Sequence, residues 1–81
     1  MDNNVLKDLT QIFRDVFSNS KLEITPQLNS RDVEKWDSLA HLIMIKEVEA
    51  HFKIKFKLIE MASIQNAGDL INLIENKLEN Q

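Results

Sequence analysis

The segment Phe52-Lys53-Ile54-Lys55-Phe56-Lys57-Leu58 alternates strictly between apolar and basic residues. A period of two is the mark of a half-buried β-strand, so this segment decides between a mixed fold and an all-helical one. No other segment of the chain offers it a pairing partner. A lone strand leaves its backbone N–H and C=O groups unpaired. With a single Gly and a single Pro, the chain also lacks material for the tight turns of a many-stranded fold. The segment therefore reads as an extended connection, with its Phe and Ile packed inward and its lysines in water. The fold is expected to be all-α.

Helical periodicity surrounds it. Val5, Leu6, Leu9, Ile12, Phe13, Val16 and Phe17 recur at helical spacing, with Lys7, Asp8, Gln11, Arg14 and Asp15 opposite. This gives a first helix over about 4–18, with Asn3 or Asn4 able to cap it. A second helix runs over 38–52 behind Asp37 as N-cap, carrying Leu42, Ile45, Val48, Glu49 and Phe52 on one side. Its apolar arc centres near Ile45, His41 and Phe52. Met44 flanks the arc, while Ile43, Lys46 and Glu47 point away. After the alternating segment comes a short turn of helix, 58–62. The last helix, 67–79, has Asn66 as N-cap and Asp69 in its first turn, with Leu70, Ile71, Leu73, Ile74 and Leu78 as its apolar face. Between the first two helices, 19–37 is polar and holds the Pro. It reads as a loop pinned to the core by Leu22, Ile24, Leu28 and Val33.

Composition bounds the function. At 81 residues the chain makes one domain, too small to build a catalytic cleft with its own substrate walls. Hydrophobic residues at 43% and charged residues at 28% fit a folded soluble protein. Without Cys there is no disulfide, thiolate zinc site or Cys nucleophile. A net charge of −3 counts against nucleic acid as a partner, because binding a phosphate backbone needs a surplus of Lys and Arg. Apolar runs are too short to span a membrane, and the first residues do not follow the pattern of a secretory signal. A cytoplasmic monomer is expected.

Few residues carry chemistry. His41 and His51 have no carboxylate at metal-ligand spacing, so no metal site is expected. Asp37, Ser38 and His41 could compose a hydrolytic set, but nothing builds an oxyanion hole, and no catalytic residue is assigned. Trp36 reads as a loop anchor and His41 as a partly buried, hydrogen-bonded histidine. Ser38 is different. At the start of a helix after a long ordered loop it is exposed among unpaired N–H groups, where a phosphodiester on its hydroxyl would meet the positive end of the helix dipole. The bland alternative is that Asp37 and Ser38 only cap the helix.

Asp37-Ser38-Leu39, with Glu47-Val48-Glu49-Ala50-His51-Phe52 closing the second helix and Asn66-Ala67-Gly68-Asp69-Leu70 opening the last, resembles the acyl carrier protein family. The likeness extends over essentially the whole chain. It implies a bundle of three main helices and one short one. It also implies a 4′-phosphopantetheine arm on Ser38, installed from coenzyme A by a phosphopantetheinyl transferase with Mg²⁺, with Asp37 and Leu39 flanking the attachment and Asp37 assisting that step. The arm's thiol would hold acyl groups as thioesters, so a phosphoprotein without Cys could do thiol chemistry. The chain itself would be no enzyme but a carrier in fatty acid, polyketide or related secondary biosynthesis, served by acyl-loading and acyl-processing enzymes. An aminoacyl or peptidyl carrier, and an unmodified helical interaction module, are the alternatives. The chain departs from carriers of primary fatty acid synthesis, which usually show several carboxylates on the second helix. Here Ala40, Ile43 and Lys46 stand at those positions. With Leu39 and Glu47 they form the expected partner surface. Trp36 before Asp37-Ser38 looks like stand-alone carriers of dedicated pathways.

Overall fold

A computed structural model describes residues 3–79. Its helices are α1 (Asn3–Val16), α2 (Ser38–Phe52), α3 (Leu58–Ser63) and α4 (Ala67–Glu79), with no strand among the described residues. The fold is all-α, as the alternating segment requires. α1 begins at Asn3, so Asn3 and Asn4 stand inside the helix rather than capping it, and the position before them lies outside the described residues. The helix also stops two residues short of Ser18, which turns into the left-handed region at φ 51°.

One core joins the helices and the long loop. α1 contributes Val5, Leu9, Ile12 and Phe13, α2 contributes Met44, Ile45 and Val48, and α4 contributes Ala67, Leu70 and Ile74. Leu6, expected on the apolar face of α1, stands at its exposed margin. The loop 19–37 earns its order from several anchors. Leu28, Val33 and Trp36 are buried, and Leu22 and Ile24 pack against the core at its edge. The Arg14 Nε–H donates to the Leu22 carbonyl at 2.7 Å. At the far end, the N–H groups of Ala67 and Gly68 donate to the carbonyls of Leu28 (2.8 Å) and Pro26 (3.0 Å). The free donors that open α4 are thus satisfied by the loop, which ties the two together. Asn66 caps the same helix, its Oδ1 accepting from the Asp69 N–H at 2.8 Å, while Asp69 accepts from the Gln65 N–H at 3.1 Å.

The alternating segment resolves its backbone problem without a partner strand. Ile54 and Phe56 are buried between exposed lysines. The Ile54 N–H donates to the Glu49 carbonyl at 3.1 Å, and the Phe56 N–H to the Glu49 side chain at 2.8 Å. One α2 residue therefore serves both inward-facing N–H groups. Lys53 makes the turn out of α2 in the left-handed conformation, φ 58° and ψ 47°. Phe52, by contrast, is only half-buried.

Candidate functional site

α2 begins as its sequence dictates. Asp37 is extended at φ −101° and its Oδ1 accepts the Ala40 N–H at 2.8 Å, so Asp37 is the cap. Capping therefore makes no demand on Ser38. Ser38 is exposed as the first residue of the helix, and its hydroxyl takes part in no hydrogen bond with the described residues. The three motif residues are brought together on one turn, with Leu39 68% exposed.

Ser38 opens onto a cleft between the end of the long loop, the start of α2 and α3. Arg31, Trp36, His41, Leu42, Leu58 and Met61 are among its walls. Trp36 is 6% exposed. It packs edge-on to Phe13 (centroids 5.4 Å, 81°) and tilted on Phe17 (5.6 Å, 38°). Its indole N–H donates to His41 Nδ1 at 3.0 Å, and the two rings lie edge to edge across this bond, nearly coplanar at 15° with centroids 6.1 Å apart. Trp36 is the loop anchor and His41 the half-buried, hydrogen-bonded residue that the sequence led us to expect. The hydrolytic set is not assembled: the Asp37 carboxylate faces the helix backbone, and His41 Nδ1 faces Trp36. Among the described residues no group of three or more His, Cys, Asp or Glu could hold a metal ion. No helix of these residues is long and apolar enough to cross a membrane.

The exposed side of α2 differs from its sequence reading in two places. Leu42, placed on the apolar arc, is 52% exposed, and the arc turns instead onto Met44, Ile45 and Val48. Ala40, placed on the outer surface, is half-buried against the core. The wheel was misread because α2 is apolar nearly all round, so periodicity does not mark its inner face. Ile43, Lys46 and Glu47 are exposed as expected. Sequence reasoning also missed Leu58 and Ile59 of α3, both more than three-quarters exposed. Six residues are too few for periodicity to mark which side of α3 faces water.

The small helical bundle thus presents an unengaged serine at the start of its second helix, beside an open cleft. No protein-family model and no curated protein sequence matches the chain. Among solved structures it is similar to a holo acyl carrier protein from Geobacter metallireducens, determined in solution by NMR. The TM-score is 0.88 and the identity 41%, over 94% of this chain and 87% of that one. The chain belongs to the acyl carrier protein family.

Proposed function

We propose that this chain is a non-catalytic carrier of acyl groups whose Ser38 hydroxyl bears 4′-phosphopantetheine through a phosphodiester. The observation that carries the reading is the division of labour at the start of α2. Asp37 caps the helix, which leaves the Ser38 hydroxyl exposed and unbonded beside the cleft. These residues suit the group. The attachment oxygen is accessible, the first-turn N–H groups favour an anion near it, and the cleft beside it mixes apolar and polar walls. When bound, the group supplies a terminal thiol for thioester linkage, which this Cys-free chain cannot supply itself. The chain's own residues hold the acceptor hydroxyl in place and present it to a phosphopantetheinyl transferase. Leu39, Ile43, Lys46 and Glu47, joined by Leu42, form the surface met by acyl-loading and acyl-processing enzymes of fatty acid, polyketide or related secondary biosynthesis. Ala40 supports that surface from beneath.

Incubation with coenzyme A, Mg²⁺ and a broad-specificity transferase adds one phosphopantetheinyl mass to the wild type and none to Ser38→Ala. Intact-mass spectrometry reads the outcome. Because Asp37 still caps α2, Ser38→Ala lowers stability by at most about 1 kcal/mol. A wild-type chain that gains no mass, with a transferase active on another carrier, is an unmodified interaction module instead.

A further inference from the structure

The indole N–H of Trp36 can only donate. His41 Nδ1, 3.0 Å away, is therefore the accepting nitrogen, and the proton of the neutral imidazole sits on Nε2. Trp36 cannot turn away from this role, because it is buried and wedged between Phe13 and Phe17. The orientation of the His41 ring is thus set from the loop, outside its own helix. Nε2 has no partner among the described residues, yet no buried side-chain nitrogen or oxygen lacks one. It follows that Nε2–H reaches solvent. His41 lies three residues after Ser38 on α2, which puts the two on one face of the helix one turn apart, and both line the same cleft. Satisfying the Trp36 N–H needs only an acceptor. An imidazole adds a second nitrogen pointing the other way, and here that nitrogen is a donor with a fixed tautomer.

We propose that His41 is a positioning residue for the arm on Ser38: its Nε2–H, fixed by Trp36, donates a hydrogen bond to a phosphodiester oxygen and seats the start of the arm in the cleft. The inference rests on the reading of Ser38 as the attachment residue. The first-turn N–H groups of α2 favour an anion without selecting how the arm is seated; among the side chains, Arg31, which also lines the cleft, is a competing source of a donor. It belongs to an exposed loop and no side-chain bond fixes its guanidinium among the described residues.

The test compares apo protein with holo protein whose modification is verified by mass. Long-range NMR correlations from the carbon-bound ring protons to the ring nitrogens in alkaline buffer should show His41 protonated on Nε2 in both forms, with the Nε2 nitrogen resonance moving downfield on modification. The phosphorus resonance of holo His41→Asn should shift to the position seen in His41→Phe. Asn keeps an acceptor near the Nδ1 position for Trp36 but has no donor at the Nε2 position, so its indole proton resonance should stay near the wild-type position. His41→Gln, which can return a donor there, should restore the phosphorus shift. An Nε2 nitrogen resonance indifferent to modification overturns the proposal, and so does a phosphorus resonance unmoved by His41→Asn or moved only by Arg31→Gln. Failure to obtain the holo mass at all is distinguishable. It removes the attachment reading first, and this inference falls with it.

Discussion

Gly68, the second residue of α4, shows how tightly the long loop is docked. A Cβ at this position would lie 2.9 Å from the Pro26 carbonyl oxygen and 3.3 Å from its Cα. Both are backbone atoms of a loop already held by the Gly68 N–H at 3.0 Å, so neither can swing aside as the tip of a side chain would. Alanine is the better helix former by about 1 kcal/mol, yet overpacking of this kind costs about 1–3 kcal/mol. Gly68→Ala should therefore destabilise the fold by about 1 kcal/mol net in urea unfolding. A stabilised variant would mean that the loop yields freely at Pro26. Nothing in the sequence marks this glycine as a docking point, since a lone Gly in a first helical turn reads as ordinary.

At the scale of the element, the passage from α2 to α3 depends on two carboxylates that bind backbone. Glu49 holds the Phe56 N–H. Phe56 is buried, whereas Phe52 is half-buried against the edge of the core, so Phe56 carries more of the closure. Phe56→Ala should cost about 3–5 kcal/mol in denaturant unfolding and Phe52→Ala about half of that, and equal losses would contradict this packing. Glu60 accepts the Lys57 N–H at 2.7 Å and the Lys77 ammonium at 2.9 Å. The Lys57 backbone bond first, and then Lys77, hold its carboxyl below the ordinary glutamate value. A carboxyl depressed in the folded state stabilises that state at pH above its unfolded value, and the contribution is lost as pH falls through the lower folded one. The Lys57 amide resonance should therefore titrate with a midpoint below the usual glutamate range, and Glu60→Gln should abolish that step. A midpoint at or above the usual value would show the cap to be open in solution. The starts of α2 and α4 were legible, because caps at Asp37 and Asn66 are local signals, whereas periodicity placed α1 but not its ends. The two backbone-binding glutamates were not: Phe56 lies seven residues beyond Glu49, outside any regular spacing, and Glu60 stands at capping-box spacing from Lys57 but behind a residue type that does not mark an N-cap.

Across the whole molecule, the inner face of α2 was the part least legible in the sequence. The reason is that the helix is apolar on both sides. Leu39, Leu42 and Ile43, at 68%, 52% and 47% exposure, share one helical stripe by their i, i+3 and i+4 spacing, and Lys46 continues it. Across the cleft that Leu42 and Leu58 both line, Leu58 and Ile59 extend the apolar surface onto α3. Such a surface beside Ser38 suits a partner that docks by apolar burial more than by salt bridges. Screening acts on charges and leaves apolar burial largely untouched. Loading of the wild-type holo protein by its acyl-loading enzyme should accordingly vary little across a salt series. Ile43 has about half its surface left to bury, worth about 1 kcal/mol, so Ile43→Glu should lower kcat/KM for loading roughly fivefold. Modification of Ser38 should continue nearly unchanged, because Ile43 lies more than a turn beyond it. Equal loading of both proteins, with steep salt dependence in each, would take Ile43 out of the interface and assign docking to Glu47 and the lysines around it.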